Sequence, residues 1–287
     1  TLILTTLFWG GTFIAGRVLA DSVAPADAAF MRFVLAAVTL AVLTRMIDGR
    51  LRLPPRDQLV SLLLLGLTGV FCYNICFFSG LRYIEAGRAS LIIALNPMAI
   101  TVGAVFLFGE RLSLLQCAGL LISLFGAFLV ISNGNPAILI SGGIGWGEIA
   151  ILGCVISWAA YSLIGRNVLK SMSPLSAVFY SALFGALMLF PATLVGEAPL
   201  QIHTYSSADW ISLLFLGILG TAAGFSLYYQ AIRAIGSARS SVFINLVPLF
   251  SILLAWIFLG ETINFSVLGG GIILMSGVYL TNKKAKT

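Results

Sequence analysis

Apolar residues fall along this chain in long, nearly unbroken runs, and ten of the runs approach the length of about 20 residues that a helix needs to cross a bilayer. They occupy approximately residues 2–20, 28–47, 58–80, 87–108, 112–132, 147–169, 174–195, 209–231, 237–259 and 264–282. Runs of this length exceed any strand and predict helices. The intervening stretches are short, and most contain Gly, Pro, Asp or Arg. The pattern predicts an all-α polytopic membrane protein of ten transmembrane helices.

The fourth and ninth runs are copies. Arg82–Glu110 reads RYIEAGRASLIIALNPMAITVGAVFLFGE, and Arg233–Glu261 reads RAIGSARSSVFINLVPLFSILLAWIFLGE. Arg82 matches Arg233, Arg88 matches Arg239, Pro97 matches Pro248 and Glu110 matches Glu261, each at an offset of 151 residues. Gly66 and Gly69 match Gly217 and Gly220 at the same offset. Trp9 and Arg17 match Trp158 and Arg166 at an offset of 149. Five runs are thus followed by five more. An odd number of crossings puts the second copy into the membrane upside down, so the expected architecture is two inverted five-helix repeats (5+5). Residues 1–132 form the first repeat and 133–146 an outside linker. Residues 147–287 form the second, inverted repeat with a basic cytoplasmic tail. A duplicated, proline-broken membrane helix points to a transport site near the midplane.

Charge sets the orientation. Only 9% of the chain is charged, against about 25% in a soluble domain. With the N-terminus cytoplasmic, 12 of the 16 Lys and Arg residues lie in inside connections. Arg17, Arg32, Arg82 and Arg88 are assigned to outside ends. The positive-inside rule then places both termini in the cytoplasm. It also accounts for the net charge of +6 without nucleic acid as a partner. The expected location is the bacterial cytoplasmic (inner) membrane, multi-pass. Thr1 already lies within an apolar run, and the natural N-terminus is expected upstream of it; no signal peptide is expected. Cys72, Cys76, Cys117 and Cys154 all fall in apolar runs without His or carboxylate neighbours, so they read as packing thiols rather than as a metal site.

Two groups of residues could meet a solute. Pro97 and Pro248 lack an N–H and free the carbonyls of Ile93 and Ile244, which in lipid need a partner or a polar cavity. They are candidate hinges, with Asn96 and Asn245 beside them as amides at similar depth. The alternative is a packing kink with interhelical hydrogen bonds. The second group is aromatic: Trp9 and Phe13, Tyr73 and Phe77, Trp158 and Tyr161, Phe225 and Tyr228 pair at helical spacing near span middles. Such stripes otherwise serve as packing or interface anchors. A pocket of aromatic rings and a few amides suits an amphipathic organic solute better than a hydrated ion. Glu110 and Glu261 end the fourth and ninth runs and read as turn residues that accept N–H bonds from the start of the next helix. No carboxylate falls near the middle of a run, and no Lys or Arg is read at mid-depth. The single histidine, His203, lies in a loop, so an intramembrane serine or metal hydrolase lacks its base and ligands. No catalytic residue, cofactor or metal is expected.

Ten spans in two inverted halves, an early Trp in spans one and six, Asn-Pro in span four and Gly-Glu closing spans four and nine resemble the EamA family of the drug/metabolite transporter superfamily. Within it, the chain is most similar to the YddG-type exporters of aromatic amino acids. The second copy departs from the pattern, reading Asn245-Leu-Val-Pro248. The resemblance implies a secondary transporter that exports aromatic or amphipathic amino acids, or related metabolites, by alternating access. The expected partners are a small-molecule solute and the lipid bilayer. A monomer is the expected unit, a dimer the alternative. A sugar-phosphate or nucleotide-sugar antiporter would need a cation in the cavity, and a non-transporting structural membrane protein would not need the paired helix breaks.

Overall fold

A computed structural model of the chain describes residues 1–49, 53–108, 113–131, 144–195, 202–235, 240, 243–262 and 265–282. The described residues are helical throughout, with no strand among them. In chain order the helices are α1 (Leu2–Ala20), α2 (Pro25–Ile47), α3 (Arg56–Leu81), α4 (Ala86–Ile93), α5 (Asn96–Phe108), α6 (Leu114–Ile131), α7 (Trp146–Val168), α8 (Pro174–Val195), α9 (Ser207–Ala234), α10 (Val247–Leu259) and α11 (Phe265–Asn282). Helices α4 and α5 run on as one apolar segment, Ala86–Leu107. Seven segments are long and apolar enough to cross a membrane: α1, α2, α3, α4–α5, α7, α8 and α9. The apolar stretches Leu114–Gly126, Val247–Leu259 and Leu268–Gly277 are shorter. Leu114, Leu121, Phe106, Phe258, Phe265 and Met46 are among many large apolar side chains exposed on the outer surface. A soluble monomer rarely exposes so much contiguous apolar area, whereas a bilayer covers it.

Local chemistry sets the helix ends. Pro25 stands in the first turn of α2, where a missing N–H costs nothing. Ser206 and Asp209 form a capping box on α9, and Ser113 and Gln116 form one on α6. Gly260 ends α10 in the left-handed region at φ 66°, a conformation that favours glycine. Of the segment expected at 237–259, the described residues include a helical Ser240, a 3₁₀ turn over Phe243–Leu246 and the helix from Val247. Glu110, most of the 133–146 linker and the tail 283–287 lie outside the described residues.

Two long helices are locally underwound. In α3 the stretch Gly66–Cys72 is π-helical, and in α9 the stretch Phe215–Ala223 is. Tyr73 N–H donates to the Thr68 carbonyl, and Gly224 N–H to the Leu219 carbonyl, each five residues back. These bonds correspond at the 151-residue offset. A π turn keeps every backbone group bonded, as the lipid interior demands, while shifting the register of the side chains beyond it.

Packing pairs helices across the linker. Helix α2 packs on α8, α6 on α11 and α4 on α10. Helix α1 lies against α10 and α9, and α7 lies against α4–α5 and α3. The π stretch of α9 packs on α2, and that of α3 on α8. Close approach depends on glycine. A Cβ on Gly66 would sit 2.8 Å from the Gly185 nitrogen, and one on Gly126 would sit 2.2 Å from the Leu274 nitrogen.

Candidate functional site

The break between α4 and α5 opens the site. Leu95 N–H donates to Ile92 O at 3.0 Å in 3₁₀ fashion, and Pro97 follows in the first turn of α5. Pro248 occupies the same place in α10. Facing these breaks is a cavity lined by Trp9, Thr12, Phe13, Arg32, Tyr73, Phe77, Ile93, Asn96, Trp158, Phe225, Ile244 and Val247. Its empty volume is about 430 Å³ with the open mouth included. Residues from before and after the 133–146 linker contribute to the wall.

Seven of the ten residues expected to meet a solute line this cavity. Trp9 crosses to α9, donating from Nε1 to the Gly220 carbonyl at 3.1 Å. Its ring meets Trp158 edge-on at 5.5 Å, and Trp158 in turn meets Phe225 at 5.1 Å. Phe13 meets Phe77 at 5.2 Å, and Tyr73 stacks on Phe77 at 5.9 Å. Edge-to-face geometry of this kind fixes ring positions. Asn96 is buried, and its Oδ1 has no hydrogen-bond partner among the described residues; the Trp158 Nε1 also has none among them. Buried polar atoms are normally satisfied, so each is a candidate contact for a bound molecule.

Tyr161 and Tyr228 stand behind the wall rather than on it. Tyr161 shares a hydrogen bond with Ser181 at 3.3 Å and stacks on Tyr229 at 5.5 Å. Tyr228 packs against Trp9 at 5.0 Å. Both rings follow the π stretch in regular helix, on different sides of it: Phe225 reaches the cavity and Tyr228 does not. The Asn245 side chain lies outside the described residues.

Arg32 is the residue the sequence reading misplaced. Assigned to an outside end, it is 3% exposed and lines the cavity. Pro25 fixes the start of α2, so Arg32 sits two turns inside it, about 10 Å along the axis. Its Nε donates to Thr221 Oγ1 at 2.9 Å and its Nη1 to Asn74 Oδ1 at 3.0 Å. Thr221 lies within the π stretch of α9 and Asn74 just past that of α3: Thr221 donates back to Leu216 O, and Asn74 to Val70 O. A cation deep in a membrane helix costs at least about 2.5–3.5 kcal/mol and usually marks function. At the 149-residue offset its counterpart is Ser181, so the charge belongs to one copy alone.

Glu261 also departs from expectation. Instead of the next helix it binds the start of α4, accepting from Ala86 N at 2.9 Å and Gly87 N at 3.1 Å. The same end of the molecule holds further cross-links. Arg88 pairs with Glu148 at 2.8 Å. Arg17 donates to the Leu81 carbonyl at the end of α3, and Arg82 to Ala20 O at the end of α1. Glu85 lies among these groups; burial, then the charge of Glu261, pushes its carboxyl above the usual range, and Arg88 and Arg17 oppose the rise. Of the four cysteines, Cys154 is buried, Cys72 and Cys76 half-buried and Cys117 exposed. Among the described residues no group of His, Cys, Asp and Glu could hold a metal.

Known proteins match along the whole length. The model of the EamA-like transporter family covers residues 1–132 and 145–283. An uncharacterized transporter of Archaeoglobus fulgidus is 30% identical over 99% of this chain and 96% of its own. A probable terminal-alkyne amino-acid exporter of Streptantibioticus cattleyicolor is 29% identical over 99% of this chain and 92% of its own. A probable amino-acid metabolite efflux pump of Escherichia coli is 26% identical over 97% and 92%. A solved crystal structure shares the fold with a TM-score of 0.69 at 20% identity, covering 97% of this chain and 94% of that one. With a cavity walled by both ends of the sequence and a family match on each side of the linker, this multi-pass membrane protein belongs to the EamA-like transporter family.

Proposed function

We propose that this transporter exports aromatic or amphipathic amino acids, or related metabolites, by alternating access. The observation that carries the reading is the lining of the cavity: six aromatic rings and an amide oxygen without a partner among the described residues face one open space between the two halves. The printed names of two relatives, an amino-acid exporter and an amino-acid metabolite efflux pump, point to the same solute class and direction.

The frame we propose is ten spans in two inverted repeats of five, with α4 and α5 as one span. Support comes from the packing: the α1–α10 contact corresponds at the repeat offsets to α7 with α4–α5, and α1–α9 to α7–α3. The π stretches correspond in the same way. With both termini in the cytoplasm, the Glu261, Arg88–Glu148, Arg17 and Arg82 contacts all lie at the outer end. They would hold that end shut, and the opposite end would open to load solute. Pro97 and Pro248 are the proposed hinges, with Glu110 and Glu261 closing the helices they break. The transport unit is a monomer in the bacterial inner membrane.

Uptake of labelled phenylalanine and tryptophan into proteoliposomes tests the reading. Flux above that of empty liposomes is expected; none across a broad amino-acid and metabolite panel would overturn it. Arg32 favours a second reading, exchange of sugar phosphates. Strict one-for-one exchange, competed by phosphate, is the result that would establish it.

A further inference from the structure

Arg32 is a buried cation that no carboxylate among the described residues neutralises; its guanidinium carbon lies 5.3 Å from the centre of the Phe33 ring. Its partners, Thr221 Oγ1 and Asn74 Oδ1, are neutral, and no carboxylate among the described residues pairs with it. A guanidinium carries five N–H donors. Two are engaged by these partners and hold its plane; the other three, both on Nη2 included, have no protein acceptor among the described residues. The side chain lines the cavity. A desolvated charge held rigidly, with donors to spare, is matched by a planar anion that accepts two parallel N–H bonds.

We infer that Arg32 binds the carboxylate of the transported solute, making the cavity selective for aromatic carboxylates over the corresponding amines. The inference rests on the transport reading and deepens it. The rest of the wall agrees with it. Asn96 Oδ1, an acceptor without a partner, is placed to receive an ammonium group. Trp158 and Tyr73, 5.6 Å apart, both line the cavity, where aromatic rings suit an aromatic body and a cation beside it. The acceptors of Arg32 lie on α3 and α9, on opposite sides of the linker, so an anion bound there would touch the junction of both.

The test is competition against labelled phenylalanine in proteoliposomes containing the full chain. The competitors are 3-phenylpropionate, phenethylamine and phenyl phosphate. For the unsubstituted protein, 3-phenylpropionate is expected to compete at least tenfold better than phenethylamine. Arg32→Gln should abolish that preference while phenethylamine competes as before, and Arg32→Lys should keep part of it. Thermal stabilisation of the purified protein by the same compounds gives a second measure, free of any turnover defect. Equal competition by the amine and the acid would overturn the inference and leave transport standing. So would an unchanged acid preference in Arg32→Gln, or phenyl phosphate outcompeting the carboxylate. A protein that carries nothing would take down the transport reading with it.

Discussion

Replacing Glu261 with alanine should unlatch the end of the molecule proposed to face outward. The Glu261 carboxylate accepts two backbone N–H bonds, at 2.9 and 3.1 Å, from the first turn of α4. Hydrogen bonds to a charged group contribute about 1.5–3 kcal/mol each. Their position at a helix N-terminus adds to this. Glu261 is half-exposed, so solvent screening reduces the pair to about 2–3 kcal/mol in all. If the contact exists only while the outer end is closed, its loss shifts the closed-to-open ratio by roughly thirty- to a hundredfold, at about 1.4 kcal/mol per tenfold. The assay is the rate at which an impermeant maleimide, added from outside, labels Thr12→Cys in the cavity of an otherwise cysteine-free chain. The rate should rise by that factor in Glu261→Ala, and Glu261→Gln, which keeps one acceptor oxygen, should fall between. An unchanged labelling rate together with a lower melting temperature would refute the reasoning, because the contact would then persist in both states.

Three further outcomes are expected. Asn96→Ala removes a buried oxygen that has no protein partner, so flux should fall about tenfold while stability stays within about 1 kcal/mol; a collapse in thermal stability would make Asn96 a packing residue. Gly126→Ala puts a Cβ 2.2 Å from the Leu274 nitrogen and must push α6 off α11. A loss of about 1–3 kcal/mol or more in a denaturation experiment is expected. Glu85 has a raised carboxyl pKa, so the folded state holds its proton more tightly than the unfolded chain does. Stability from this group is therefore greatest near and below the ordinary carboxylate range and declines as pH rises through the raised value. Glu85→Gln should raise the melting temperature at pH 7, and the gain should vanish near pH 4.

Much of the fold was legible because membrane helices announce themselves by length and because the chain states its pattern twice. The proline breaks and the cluster of Trp9, Phe13, Phe77 and Trp158 followed from the same repetition. What escaped depended on register and on partners distant in sequence. The π stretches lie in ordinary apolar sequence, and the matched Gly66 and Gly217 carry no mark of a changed helix geometry. Tyr228 was placed on the wall by its spacing from Phe225, whereas it packs against Trp9 from behind. Arg32 was counted as a loop-end charge because it lies near the edge of an apolar run. The signal that could have found it was Pro25, which starts the helix two turns earlier. Glu261 was given the next helix as its partner because sequence adjacency suggests it, whereas the folded chain brings α4 within reach.

The solitary guanidinium of α2 has a consequence for the resting carrier. Two identical halves would leave inward- and outward-facing forms equal in energy, as a balance with equal pans stays level. Here one pan holds Arg32 and the other Ser181. In the proposed alternating-access cycle, the empty protein would be weighted toward whichever posture best shelters that charge, and an arriving anion would relieve the weight. Cargo would then set the pace of the cycle as well as fill the cavity.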